Sequence, residues 1–560
     1  MKARSLILSC VPLLLLCSAA LLTRPRVHAA DSPKPPIHFS FQPIAFSLDS
    51  SESSQRHSPE TMAGGVAVFD YDNDGNLDIF FTNGADIVTL KKTGLKFWNR
   101  LFHNNGDGTF TDVTEKAGLV GTGYDTGVAI GDFDNDGFED IFVGGVYRNT
   151  LYHNNGDGTF TDVTQKAGLN RPDPKYGPLW SVGGAWLDIN NDGLLDLFIV
   201  NYMRWDGAHE PDCKLNAKPE YCHPKFYKET PSRIFLNKGN GTFLDISEQS
   251  GIRASLGKGM GVGVADYDGD GLIDVFVAND KLFNFLFHNK GNSRFEEQAF
   301  ETGVALPEHG NLISGMGVSF DDLNNDGHPD IVLVALDNET FPVYLNNGKG
   351  GFTEITSRSG MTTLSNPMAG YSPNIADFDN DSWKDIFVSR GHVQSPDMAD
   401  RLQIDQPSTV FRNLDGTKFI ALTEEAGFKS QPPKRHRGSA FGDFNHDGRL
   451  DLVVTALSSA AEIWLNDSPN QNHWLEIKLQ GAKSNRDGIG ARVKLTGAGK
   501  TQYGFVSTAS GYASSSAGPV HFGLGDAKAA EELEIRWPSG TTQLLKNVNA
   551  DQILHLKEPI

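Results

Sequence analysis

Cysteine is scarce in this chain, four residues in 560, and two of the four, Cys10 and Cys17, fall inside an apolar leader. The other pair, Cys213 and Cys222, is expected to join in an oxidising compartment and close a short loop. Methionine is thin as well, eight residues against 60 glycines and 35 phenylalanines. That mix suits short strands and tight turns better than helices, so the expected class is all-β. Basic residues are outnumbered, 49 Lys and Arg against 70 Asp and Glu for a formal charge of −21. Such an excess of acid argues against nucleic acid as a partner.

Long apolar runs are missing beyond the first, at residues 6–22, so no transmembrane segment is expected after its removal. The run follows Lys2 and Arg4 and precedes Val27, His28, Ala29 and Ala30, and residues 1–30 read as a signal peptide. Two other readings stay open, an uncleaved anchor and a lipid-modified cysteine at Cys10 or Cys17. Cleavage after Ala30 takes away four basic residues and no acid, moving the charge to about −25. The expected location is secreted, periplasmic or cell-surface. Catalytic signatures are absent too: no GxSxG, HExxH, P-loop or CxxC occurs.

What the chain does contain is one string, D-x-[DN]-x-D-[GS]-x-x-D, seven times over, with starts 55 to 78 residues apart. Its four acidic or amide positions are Asp70, Asp72, Asp74 and Asp78 in loop one and Asp132, Asp134, Asp136 and Asp140 in loop two. Loop three offers Asp188, Asn190, Asp192 and Asp196, and loop four Asp266, Asp268, Asp270 and Asp274. Loop five has Asp322, Asn324, Asp326 and Asp330; loop six Asp377, Asp379, Asp381 and Asp385; loop seven Asp443, Asn445, Asp447 and Asp451. An apolar run such as GVAVF precedes each loop and one such as IFF follows it, and both read as strands. A third apolar piece, a glycine turn and a fourth piece complete the unit, as in LFHNNGDGTFTDVTEKAGL at 101–119. Four-stranded units that cannot bury both faces alone are stabilised by stacking round a closed ring, which also removes their open edges.

The predicted architecture is therefore a seven-bladed β-propeller at 60–469 followed by a small β-sandwich-like domain at 470–560. After the third strand of the last repeat, AEIWLN at 461–466, no fourth piece follows. The segment IHFSFQPIAFSL at 37–48, within the N-terminal stretch 31–59, is expected to supply it.

Side chains at the first, third, fifth and ninth positions of a loop turning at glycine can converge with a backbone carbonyl at the seventh. Hard oxygen ligands in that number favour Ca2+ over magnesium or a transition metal, with up to seven ions per chain. A single copy could be an ordinary Asp/Asn/Gly turn; seven with the same spacing leave that reading little room. An EF-hand needs a bidentate glutamate at position twelve, where Phe81 stands inside a strand. Loops one, two and four carry four aspartates with glycine sixth and should bind most firmly. Loops three, five and seven lose a charge at Asn190, Asn324 and Asn445. Loop six places Ser382 where positive φ is expected, a costly conformation for a residue with a β-carbon.

These loops resemble the FG-GAP (VCBS) repeats of integrin α-like propellers over residues 60–466. NHWLEIKLQGAKSNRDGIGARVKL from Asn472, HFGLG at 521–525 and LEIRWPSG at 533–540 resemble the UnbV/ASPIC domain that ends cartilage-acidic-protein-like chains. The resemblance implies an extracellular calcium-binding protein associated with adhesion or matrix contact. Within the tail, Asn485, Arg486 and Asp487 read as a polar turn before a strand rather than as a site.

The functional expectation is an exported propeller with structural calcium that binds a protein or glycan. The alternative is a secreted carbohydrate-directed or redox enzyme whose site lies at the channel rim. Residues just before each innermost strand would face that rim: Glu60, Thr61, Met62, Tyr124, Asp125, Trp180, Lys258, Met260, Met316, Tyr371, His436 and Arg437. A cluster of Glu60, His436 and Arg437 round one pocket would favour the enzyme. The insert at 204–228, clipped by its two cysteines, is a second candidate partner surface.

Overall fold

The computed structural model describes residues 37–215 and 217–560. The signal peptide expected at 1–30 lies outside the described residues. Strands dominate what remains, and six of the seven apolar repeat flanks that open the blades become strands buried along their whole length or nearly so, as at Val66–Phe69 and Asp125–Gly131. Each sheet is covered on both faces by its neighbours, which is why these strands read as continuous apolar runs instead of alternating ones.

Seven four-stranded antiparallel blades result, the sheet of the first being extended to six strands by a hairpin from the tail. Blade one is Val66–Phe69, Asp78–Phe81, Arg100–Asn104 and Phe110–Asp112. In every blade the acidic loop joins the first strand to the second. The first strands touch one another in chain order, from Val66–Phe69 through Asp125–Gly131, Ser181–Leu187, Gly259–Ala265, Val318–Asp321 and Ser372–Ala376 to His436–Gly442, which returns to the first. The ring is thus closed, and its last sheet takes an outer strand from the other end of the chain. Phe39–Ser47 pairs antiparallel with Ala460–Asn466, from Phe39 opposite Asn466 to Ser47 opposite Ala460.

A hydrogen-bonded clasp repeats at every blade boundary. The asparagine ending each third strand donates from Nδ2 to the carbonyl of the second loop residue in the preceding blade: Asn154 to Tyr71, Asn237 to Phe133, Asn289 to Ile189, Asn346 to Tyr267, Asn413 to Leu323 and Asn466 to Phe378, at 2.7–2.9 Å. Asn104 reaches Phe444 of blade seven at 2.9 Å and completes the circle.

The tail forms two sheets. Lys500–Phe505, Arg492–Gly497, Ala529–Arg536 and Thr542–Asn549 make one, and Val520–Gly525, His473–Gln480 and Ile553–Lys557 the other. Leu475, Ile477, Val493, Leu495, Phe522, Leu533, Ile535 and Trp537 are buried in one core there. This domain sits on the face of the ring that carries the acidic loops. The turn read from sequence as an ordinary one docks there: Arg486 N donates to Asn135 Oδ1 and Asp132 N donates to Asp487 Oδ2, both at 2.8 Å.

From the same domain a hairpin, Ala509–Ser510 and Ser514–Ser516, enters the middle of the ring. Ser515 and Ser516 pair in parallel with Ala67 and Val68 of blade one. Val128 N donates to Ala513 O at 3.0 Å, Asn374 Nδ2 to the Ser510 hydroxyl at 2.6 Å, and Phe441 N to the Ser516 hydroxyl at 3.1 Å. At the tip Tyr512, fully buried, donates to Met62 O at 2.7 Å and packs edge-on to Tyr371 at 5.2 Å. Glycine lines the passage because nothing larger fits. A β-carbon at Gly438 would stand 2.4 Å from Gly64 O and 2.5 Å from the Ser514 hydroxyl, and one at Gly127 only 2.0 Å from Val182 O.

Candidate functional site

The loops share one scaffold. The first aspartate caps the turn, as where Asp132 Oδ1 and Oδ2 accept from Asp136 N and Gly137 N at 3.1 and 2.7 Å. The ninth accepts at both oxygens, Asp78 from Tyr71 N at 3.1 Å and Asn104 N at 2.8 Å, and this pair of bonds recurs in all seven blades. Residue six is left-handed throughout, with φ from 77° at Ser382 to 98° at Gly137, so the serine does adopt the conformation that glycine takes elsewhere. Residue four is left-handed too, and in five loops its asparagine Nδ2 donates to the sixth carbonyl of the next loop, as from Asn73 to Gly137 at 2.8 Å.

Within this scaffold the carboxylates face one another. Asp70, Asp72 and Asp74 each offer an oxygen within 4.8 Å of the others, as do Asp132, Asp134 and Asp136. Oxygens bound to one calcium ion at 2.3–2.6 Å lie about that far apart. Asp72 Oδ1 is buried without a hydrogen-bond partner. Burial pushes Asp78 up to about 9; the Asn104 and Tyr71 amides pull it back, and Asp72 and Asp70 push it further up. Burial and the Asp487 carboxylate likewise raise Asp132 to about 8. Carboxylates so confined resist ionising together unless a cation joins them, and the donor set fits calcium.

The sequence reading missed a partner from strand three. His103 Nδ1 lies 3.5 Å from Asp72, His153 Nδ1 3.5 Å from Asp134 and His288 Nε2 3.7 Å from Asp268. In blade six the same position is Arg412, whose Nε donates to Asp379 Oδ2 at 2.7 Å and Nη2 to Asp381 Oδ2 at 3.1 Å. The signal was present in LFHN, LYHN and LFHN, where the residue before the asparagine is histidine in three of the four blades whose loop has a third-position aspartate.

At the opposite end of the ring the rim residues do not converge as a catalytic set. Glu60 accepts from Ser53 and from Tyr221 at 3.2 Å, and burial raises its carboxyl. His436 meets Glu462 at 3.1 Å, and Arg437 lies 3.9 Å over the Tyr371 ring while donating to the backbone of Thr61, His436 and His392. Asp125 bonds Asn99 and Lys92, away from the axis.

A cavity of about 430 Å3 does open at this end, with Met62, Met260 and Met316 among its walls. Asp280 lines it, 3% exposed, accepting from the Tyr202 hydroxyl at 2.6 Å with Oδ2 while Oδ1 has no hydrogen-bond partner. Burial raises this carboxyl to about 6 against the Tyr202 and Ser314 hydroxyls. The insert lies across the rim. Cys213 and Cys222 are disulfide-bonded, Glu210 accepts from Ser58 N at 2.9 Å, and Glu220 accepts from Ser395 N and hydroxyl at 3.0 and 2.7 Å. Cys222 and His223 line the cavity.

A family model described as FG-GAP-like repeat matches residues 70–143, 132–199, 227–277, 266–333 and 322–388. The chain belongs to the FG-GAP-like repeat family. A second model, ASPIC and UnbV, matches residues 481–560. Cartilage acidic protein 1 of Homo sapiens is 28% identical over 500 residues, covering 86% of this chain and 70% of that protein. The Mus musculus protein of the same name is 29% identical over 365 residues, 64% of this chain and 51% of its own length. Among solved structures, an Agrocybe aegerita lectin that recognises non-reducing terminal N-acetylglucosamine aligns at TM-score 0.41 and 18% identity, over 71% of this chain and 87% of its own. The Vibrio cholerae biofilm matrix protein Bap1 aligns at TM-score 0.33 and 12% identity, over 91% of this chain and 62% of that one. Loop seven lies beyond the matched repeats yet has the same bonds as the rest. Among the described residues no helix is long and apolar enough to cross a membrane.

Proposed function

We propose that this is an exported, calcium-stabilised ligand-binding propeller whose ligand, a protein or a glycan, is held at the strapped rim cavity. The observation that carries this reading is the division of the two faces. The tail domain covers the acidic loops and its hairpin fills the passage, so the concave opening left at the ring axis is the cavity walled by Met62, Met260, Met316 and Asp280. Concave, mainly apolar sites with a few placed polar groups are where ligands bind. Calcium's part is structural: it neutralises loops that sit between two packed domains, and only the folded ring gathers each set of ligands.

The enzyme alternative loses its stated support, because Glu60, His436 and Arg437 are engaged separately and none lines the cavity. The test is a protein and glycan binding screen of the mature chain with calcium and with chelator, repeated with Met316→Trp to fill the cavity. Binding that needs calcium and disappears with the tryptophan supports the reading. Ligands retained at full affinity by the filled variant refute the rim assignment.

A further inference from the structure

The third loop position and the residue before the clasp asparagine vary together. Aspartate at 72, 134 and 268 stands with histidine at 103, 153 and 288, whereas asparagine at 190, 324 and 445 stands with leucine at 236, 345 and 465. Blade six alone combines an aspartate, Asp379, with an arginine, Arg412. We infer that loop six takes no calcium and that the Arg412 guanidinium is its permanent cation, which reduces the expected number of ions from seven to six. This inference rests on the calcium reading of the other loops.

Three observations converge. The guanidinium bonds both the third- and the fifth-position carboxylates, Asp379 and Asp381, and so fills the space where an ion would bridge them. Planar, forked and charged at every working pH, arginine suits such a pair of carboxylates. Side chain and loop are closed off together: Arg412 is 7% exposed, Asp379 2% and Asp381 8%. Third, the loop's backbone oxygens are engaged by the tail domain. Asn472 Nδ2 donates to Asp379 O at 2.7 Å, Gly525 N to Asn380 O at 2.8 Å and Lys500 Nζ to Asp381 O at 3.1 Å. Lys500 also brings a second positive charge to the loop. Ser382 at position six, in place of the glycine of the other six loops, belongs to the same specialised copy. Loop six is thus a docking point for the tail domain that does not depend on calcium.

The test is a crystal structure of the mature chain grown in calcium, with anomalous difference maps at a wavelength where calcium scatters, alongside the double variant Arg412→Leu, Ser382→Gly. Leucine is what the asparagine loops carry, and glycine restores the common turn. The parent is expected to show no peak in loop six, and the variant is expected to gain one there. A calcium peak in parental loop six overturns the inference, and so does a folded variant that gains none. If the double variant does not fold, Arg412→His, the pairing used in blades one, two and four, takes its place under the same two criteria. Failure of the calcium reading itself has a different signature, namely parental loops one, two and four without peaks.

Discussion

If the tail hairpin fills the ring as described, Tyr512 is the residue whose loss should be felt most. Its ring is fully buried against Tyr371, beneath the Arg437 guanidinium that lies on the same tyrosine, and its hydroxyl donates to Met62 O. Truncating a buried aromatic to alanine costs about 3–5 kcal/mol, because the cavity cannot collapse in a closely packed surround. The surround here is backbone: Gly438, Gly64 and the glycines of the neighbouring inner strands approach too closely to move inward. Tyr512→Phe keeps the packing and leaves Met62 O without its donor, at a cost of about 1–3 kcal/mol. Unfolding entropy of about 2.1 cal/mol/K per residue makes 1 kcal/mol worth about 1 °C in a single cooperative melt of a chain this long. Differential scanning calorimetry in calcium should therefore show Tyr512→Ala melting about 3–5 °C below the parent and Tyr512→Phe about 1–3 °C below. Hydrogen exchange should quicken along the inner strands of blades one, two, five, six and seven, which bond the hairpin. A Tyr512→Ala protein melting within 1 °C of the parent, with unchanged exchange in those strands, would mean that the hairpin does not occupy the passage, and the two-face argument for the rim cavity would go with it.

Chelation should lower the melting temperature and quicken exchange in the tail strands, since the tail rests on the acidic loops; a melt unchanged in excess chelator refutes structural calcium. Asn289→Ala removes the donor to both Ile189 O and Ile273 O and is expected to destabilise the ring by about 2–4 kcal/mol, read as an equal loss in denaturant unfolding. Glu558 is raised by burial but held down to about 2 by the Ser539 hydroxyl and the amides of Ala482, Ser484 and Lys483. The stability it contributes is fully present above 4.5, its ordinary value, and is lost as the pH falls through about 2, so Glu558→Gln should flatten that part of the acid-melting profile relative to the parent. Reducing the Cys213–Cys222 bond should free the strap, measured as faster proteolysis at 204–228 with the blades intact.

Much of the ring was legible because its determinants are local. A loop of aspartates, a glycine at a left-handed position and two flanking apolar runs specify a blade wherever they occur, and repetition separates that signal from ordinary turns. The same locality makes the strain at Ser382, whose φ is 77°, readable from the loop pattern alone. Even the pairing of Phe39–Ser47 with the last blade follows from counting, since an unpaired apolar strand at one end of the chain matched a missing one at the other.

The hairpin at 509–516 was not legible, and the reason is physical. Its sequence, ASGYASSS, has no apolar period and no strand-forming run, because a passage lined by inner-strand glycines admits only small side chains beside a single tyrosine. Its burial is produced by serine hydroxyls and backbone groups that meet partners more than a hundred residues distant, Ser510 with Asn374, Ser514 with Val66 and Ser515 with Ile130. Long-range polar satisfaction of that kind leaves no mark on local hydropathy, so a serine-rich stretch reads as an exposed linker. The partners of the loops were hidden differently. His103 and Arg412 stand in strands, where a single polar residue among apolar ones looks like the solvent side of an alternating pattern. Only the loop column and the strand column taken together, aspartate with a basic side chain and asparagine with leucine, show that the charge of each site is set by two positions about 20 to 45 residues apart.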